Sequence, residues 1–149
     1  MRVGEICSHD VRWIDRDATV GDAARRMRDE HVGDLVVAVE MDGRDVPVGI
    51  ITDRDIVVAV VARAGEIGPE ARVSQVMSDD PFVTATEDEE LEPVLKRMRS
   101  FGVRRVPVLD ERGALCGILA VDDVVSALSE ALGELASLVT RQSRLEPAR

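Results

Sequence analysis

Gly49-Ile50-Ile51-Thr52-Asp53-Arg54-Asp55-Ile56 decides the fold, because the chain repeats it as Gly117-Ile118-Leu119-Ala120-Val121-Asp122-Asp123-Val124. Each copy opens on a glycine, runs through an apolar strand and ends on aspartates that open an apolar helix. A strand that hands a threonine and an aspartate to a helix N-terminus builds a small polar cradle. The hydroxyl donates, the carboxylate accepts, and the first backbone N–H groups of a helix have no partner within it. Such a cradle suits a nucleotide. The copies are unequal: Ala120 stands where the first copy has Thr52, so only the first cradle is fully equipped. Thr52 and Asp55 also read as a plain helix cap, and that alternative stays open here.

Outward from this motif the self-similarity continues. Residues 3–8 align with 73–78, residues 23–28 with 94–99, and Gly49 with Gly117. The slips fall before the first helix and in a turn over 40–47, and length changes confined to loops mark a duplication. In the first copy, residues 11–14 are a short extended lead-in. Thr19 is the N-cap of a helix, with Asp22 three residues on approximating a capping box. Val20, Ala23, Ala24 and Met27 then recur at helical spacing. Strands follow over 35–39 and 48–52 around a turn at 41–45, and a helix runs from Asp53 through Ala62.

In the second copy, residues 86–89 cap a helix over about 90–100, with Pro93 in its first turn, where proline is tolerated. Strands at 106–109 and 115–120 flank a turn at 110–113. A helix opens at Asp122 and carries on or restarts through Leu128, Leu132, Leu135 and Leu138, with Gly133 marking a break and 144–149 a frayed tail. The leucine stripe reads as core or as a dimer seam. The division is 1–64 for the first repeat, 65–72 for a linker, 73–130 for the second repeat and 131–149 for a C-terminal helical extension and tail. A repeat of about 60 residues buries too little of its surface to stand alone. Two repeats packed sheet to sheet, helices outside, give an α+β protein.

Composition excludes several functions. The 149 residues are 45% hydrophobic but only 2% aromatic, so the core is aliphatic. A formal charge of −10 supplies no field for a nucleic-acid backbone and favours solubility. Cys7 and Cys116, without a CxxC, read as reduced, buried thiols of a cytoplasmic protein. Residues 1–4 lack the apolar core of a signal peptide, and the longest apolar run, 56–62, is too short to span a membrane. His9 and His31 show no metal spacing. Asp53-Arg54-Asp55 and Asp122-Asp123 lack further ligands, so no metal is expected. Ser8-His9-Asp10 spells a triad only in sequence, since adjacent side chains cannot converge as a triad requires. Nothing supplies a nucleophile with its base, so no catalytic residue and no turnover are expected.

Val76-Met77-Ser78, Pro81-Phe82-Val83-Thr84, Val103-Arg104-Arg105-Val106-Pro107-Val108-Leu109-Asp110 and Gly113-Ala114-Leu115-Cys116-Gly117-Ile118-Leu119 together resemble a cystathionine-β-synthase (CBS) domain. The first copy resembles one more closely still at its Gly49–Asp55 end. The resemblance spans about residues 3–128. It implies two βαββα units packed with pseudo-two-fold symmetry, a Bateman module. It implies an adenosine compound as ligand (AMP, ADP, ATP, S-adenosylmethionine or NAD) and no required cofactor. It also implies a non-catalytic sensor, a homodimer packed as a disk, and an effector protein of unknown identity on another polypeptide.

In that family each cleft takes its Thr/Ser and Asp from one repeat and its other wall from the second. Mapped residue by residue, the first cleft combines Thr52, Arg54 and Asp55 with Phe82, Val83, Thr84, Val103 and Arg105. Asp55 would accept from the ribose hydroxyls, Thr52 would bond ribose or phosphate, the apolar residues would sandwich the adenine, and Arg105 would meet a phosphate. The second cleft combines Ala120 and Asp123 with Val11, Arg12, Trp13, Val32 and Asp34. There the hydroxyl is lost and a carboxylate would repel phosphate. Trp13 can stack a base or simply pack. The second cleft is therefore expected to be weak or vacant. The alternative from a different class is a dimerising scaffold whose clefts hold no physiological ligand.

Overall fold

The computed structural model describes residues 1–63, 65–80 and 82–145, with side chains through Arg141. Ala64, the last residue of the expected first repeat, Pro81 of the quoted motif and 146–149 of the expected tail lie outside the described residues. The elements are β1 (Trp13–Asp15), α1 (Val20–Glu30), β2 (Asp34–Met41), β3 (Arg44–Thr52), α2 (Asp53–Ile56), β4 (Ala85–Thr86), α3 (Leu91–Phe101), β5 (Arg105–Leu109), β6 (Leu115–Ala120) and α4 (Val121–Leu145). A π-helical stretch, Val57–Ala62, prolongs α2. Two three-stranded sheets result, β1-β2-β3 and β4-β5-β6. In each, the first strand pairs parallel with the second and the second antiparallel with the third. This is the expected α+β architecture of two βαββα repeats with a C-terminal helix.

Local chemistry explains the elements. Thr19 caps α1: its hydroxyl accepts from the Asp22 N–H at 3.0 Å, and the Asp22 carboxylate accepts from the Thr19 N–H at 3.3 Å. Such a cap is worth about 1 kcal/mol. Val20, Ala23 and Met27 form the buried stripe of α1. The second sheet shows the same plan with different chemistry at the helix start. Glu90 is the N-cap of α3 and makes no side-chain cap bond. Residues 86–89 serve instead to anchor Glu89, whose carboxylate takes the Thr86 N–H at 2.9 Å and a two-pronged bond from Arg97.

Two expectations are corrected. The expected turn narrows to Asp42-Gly43, and 40–41 and 44–47 are strand rather than loop, because β2 and β3 stay paired as far as Met41 and Arg44. Asp42 and Gly43 both have positive φ, 52° and 72°, the mirror-image turn whose twist matches the strands it joins. A bulge at Val37/Ala38 absorbs the odd residue, and β5–β6 repeats it at Val108/Leu109. Gly133 does not break α4. Its missing side chain faces open space, and one mid-helix glycine costs only about 1 kcal/mol against alanine. Leu132, Leu135 and Leu138, near 60% exposed, are not core of this chain.

The lead-in segments are exchanged between the repeats. Val3 and Cys7 are buried with Val94, Met98, Val106 and Leu119 of the second repeat. Val73 is buried with Ile14, Ala23, Met27, Leu35 and Ile51 of the first, flanked by Val76 and Met77. Backbone bonds stitch each exchange. Ser8 and Ile118 bond reciprocally at 2.9 Å, and Ser78 and Ile50 do so at 2.8 and 3.1 Å. Each core is therefore finished by chain from the other half, which ties the two repeats into one folding unit.

Candidate functional site

The site begins where β3 becomes α2. Thr52 is extended (φ −112°, ψ 162°) and caps the helix. Its hydroxyl accepts from the Asp55 N–H at 3.1 Å, and Asp55 Oδ2 accepts from the Thr52 N–H at 2.9 Å. The cap uses the hydroxyl as acceptor and one carboxylate oxygen. The hydroxyl proton and Oδ1 take no part in it. Capping and ligand contact are thus compatible, and the cap fixes the orientation of both side chains.

Thr52 and Asp55 open on a cavity of about 340 Å³. Asp34 and Ile50 complete the first repeat's share, Ser78 comes from the exchanged lead-in, and Phe82, Val83, Val103, Arg104 and Arg105 form the opposite wall. A concave, mostly apolar space with a few convergent polar groups is what small-molecule sites share. Of the eight residues expected here, Thr52, Asp55, Phe82, Val83, Val103 and Arg105 converge. Arg54 and Thr84 lie outside the lining. Arg54 sits on the exposed side of α2, one residue from Asp55, and its backbone N–H bonds the Asp53 carboxylate at 2.7 Å. Thr84 alternates away from the buried Val83, and its carbonyl accepts from Arg97 at 2.8 Å.

A second, smaller cavity of about 210 Å³ is lined by Asp10, Arg12, Val32, Asp34, Arg105, Ile118, Ala120 and Asp123. Arg12, Val32, Asp34, Ala120 and Asp123 meet there as expected, whereas Val11 and Trp13 do not. Trp13 is half-buried in β1, and the Arg26 guanidinium donates to its carbonyl. Arg12 is paired with Asp10 and Glu30. Half the cap survives: the Ala120 N–H donates to the Asp123 carboxylate at 3.0 Å, and no hydroxyl accompanies it.

Asp34 was expected in the second cleft and Arg105 in the first. The structure joins them. They form an ion pair, and both line both cavities. The Asp34 side chain is 13% exposed and that of Arg105 44%. Burial pushes the Asp34 carboxyl above the usual carboxylate range, and the charge and hydrogen bond of Arg105 only partly oppose this. Sequence spacing missed Asp34's double membership, together with Ile50, Ser78 and Arg104. Ser78 follows from the lead-in exchange, which leaves no mark in composition or periodicity, whereas Ile50 lies two residues before Thr52 on the same face of β3, a strand alternation the sequence does carry.

The remaining candidate groups are accounted for. His9 Nδ1 lies 3.2 Å from the Cys116 carbonyl, Asp10 pairs with Arg12, and the Ser8 hydroxyl accepts from the Asp10 N–H at 3.3 Å, so these three form no triad. Cys7 and Cys116 are free thiols. Burial, followed by the charge of Glu87, raises both, Cys116 to about 12. Among the described residues no group of three or more His, Cys, Asp or Glu is placed to hold a metal ion, and no helix is long and apolar enough to cross a membrane.

The CBS domain pattern matches residues 3–62 and again 73–130. A CBS-domain containing protein of Agrobacterium tumefaciens is 32% identical, and its crystal structure superposes with a TM-score of 0.69 over 85% of this chain and 98% of that one. The cytosolic domain of the Mg2+ channel MgtE, solved in complex with ATP, is 26% identical with a TM-score of 0.68 over 85% of this chain and 48% of that one. An uncharacterized protein of Methanopyrus kandleri is 33% identical over 123 residues, 83% of this chain and 60% of its own length. With the pattern matched in both halves and the fold shared with these solved structures, the chain belongs to the CBS domain family and carries two of its domains in tandem.

Proposed function

We propose that this chain is a non-catalytic regulatory module that binds an adenosine compound in the Thr52/Asp55 cleft and reports its presence to a separate partner protein. One observation carries the reading. The polar cap of one repeat and the apolar wall and arginines of the other open on the same cavity. Asp55 would accept from the ribose hydroxyls, Thr52 would donate to ribose or phosphate, and Phe82, Val83 and Val103 would hold the base. The ATP complex of the MgtE cytosolic domain supports an adenine nucleotide as ligand. A ligand touching both repeats favours the arrangement that binds it better, and that differential affinity is the signal. The expected lack of turnover rests on the absence of a nucleophile–base pair among the cleft residues.

The proposal includes a cytoplasmic homodimer. Val125, Leu128, Leu132, Leu135 and Val139 follow one another at alternating steps of three and four residues on α4, and all are exposed. That spacing is the seam of a helix pair. The flanking positions Ser129, Ala131, Ala136 and Leu138 are uncharged, so a second copy meets no repulsion along the seam despite a net charge of −10. The same stripe favours the scaffold reading if the clefts stay empty.

A thermal-shift screen with adenosine, AMP, ADP, ATP, S-adenosylmethionine and NAD separates the two. A compound present at a hundred times its Kd stabilises the native state by about 2.7 kcal/mol, a shift of several degrees at this chain length. No shift with any of the six would overturn the sensor reading and leave the scaffold.

A further inference from the structure

We propose that Asp34 determines which adenosine compounds the Thr52/Asp55 cleft accepts, by holding Arg105 in an exchangeable ion pair that a ligand's phosphate has to break. This rests on the proposed function and goes beyond it to the ligand's charge class.

The pair is a product of the pseudo-symmetry. Asp34 is the first residue of β2 and Arg105 the first of β5. Each stands opposite the last residue of the third strand, Asp34 across from Thr52 and Arg105 across from Ala120. Equivalent positions of two repeats thus meet where both clefts begin. One carries an acid and the other a base, and the pair becomes the wall the clefts share.

A shared wall has two consequences. Arg105 is not a free phosphate receptor, because its guanidinium already donates to Asp34. The other cation of the lining, Arg104, is drawn toward Asp122 at 3.8 Å and is 80% exposed, so it replaces Arg105 poorly. A 5′-phosphate that takes Arg105 strips a mostly buried carboxylate of its partner and leaves it beside the negative charge of Asp53. A 5′ group that is uncharged leaves the pair intact. One that is cationic, such as a sulfonium, gains from Asp34. A nucleotide that draws Arg105 into the first cleft leaves Asp34, Asp10 and Asp123 facing the second with Arg12 as the remaining cation of its lining. That charge balance disfavours a second phosphorylated ligand on the same chain.

The test is calorimetric titration of adenosine, AMP and S-adenosylmethionine into the full chain, as wild type, Asp34→Asn, Arg105→Gln and the double variant. The readout is the ratio of AMP to adenosine affinity within each protein. Asp34→Asn keeps the shape, frees the guanidinium and is expected to raise that ratio at least tenfold while weakening S-adenosylmethionine relative to adenosine. Arg105→Gln leaves Asp34 alone and is expected to lower the ratio at least tenfold. The double variant is expected to lose the gain. An AMP-to-adenosine ratio that stays within twofold in both single variants overturns the proposal while the sensor reading stands. Failure of adenosine, AMP and S-adenosylmethionine alike to bind wild type and every variant overturns the sensor reading and this inference with it.

Discussion

A methyl group on Gly49 would stand 2.9 Å from the carbonyl oxygen of Ser78, which belongs to the lead-in of the other repeat. The second copy repeats the relationship: a methyl on Gly117 would lie 3.0 Å from both Cys7 Sγ and the Ser8 carbonyl. The glycine that opens each motif is there because another backbone crosses it at bonding distance. Gly49→Ala and Gly117→Ala are each expected to destabilise the fold by about 1–3 kcal/mol, the range for overpacking a tight site. Gly133→Ala, on an open helix face, should be neutral or stabilising. Urea denaturation of the three variants checks this, and equal stability of all three would contradict the exchange of lead-ins.

Glu89 sets an acid limit on the second repeat. Bonds from Arg97 and the Thr86 N–H, with Arg97's charge, hold its carboxyl below the usual range against a partial desolvation. The native state therefore releases this proton more readily than the unfolded chain. Its contribution is fully present above the unfolded value near 4.5 and is lost as pH falls through the lower native value. The pair is a third exposed, so screening limits it to about 1 kcal/mol. Glu89→Gln should lower the Tm at pH 7 and flatten its fall as the pH drops from the unfolded value near 4.5 through the lower native one. A parallel fall in wild type and variant would show that the bond to Arg97 carries no stability.

The thiols should be silent in the native protein. Cys7 is buried, Cys116 is half-buried with its thiol pushed up to about 12, and only a thiolate attacks. Ellman's reagent at pH 8 should react slowly with the folded chain and quickly with both thiols after denaturation. Fast reaction in the folded state would mean that the Val3–Cys7 lead-in opens readily from the second core.

The stripe on α4 predicts association. Leu132→Glu with Leu135→Glu places two charges on the seam and should halve the mass seen by light scattering while leaving the melting of the repeats little changed, since both leucines are near 60% exposed in the single chain. An unchanged mass would remove α4 as the contact.

How much of this was legible beforehand follows from the range of each signal. The Thr19–Asp22 cap, the stripe of Val20, Ala23 and Met27, and the duplication itself are local or periodic, and the sequence states them directly. The turn at Asp42-Gly43 falls inside the expected 41–45 but is shorter, because the polar Arg44 and Asp45 look like loop residues until the positive-φ pair is recognised as a hairpin turn that lets pairing run to its end. Linear mapping places each residue once and so gives Asp34 to one cleft, whereas its ion pair with Arg105, the equivalent residue of the other repeat, sets it between both cavities. Ser78 joins the site only through the crossed lead-ins, a tertiary event with no local signature, whereas Ile50 is on the face of Thr52 by simple strand alternation.

The first cleft is proposed to bind adenosine compounds, and the Thr52–Asp55 cap is proposed to make it do so. Calorimetric titration of adenosine into wild type, Asp55→Ala and Asp123→Ala tests it most directly, since adenosine carries no phosphate for Arg105 to influence. One site per chain is expected, abolished or weakened at least tenfold by Asp55→Ala and within twofold of wild type for Asp123→Ala. Equal losses in the two variants, or full binding by Asp55→Ala, would contradict it.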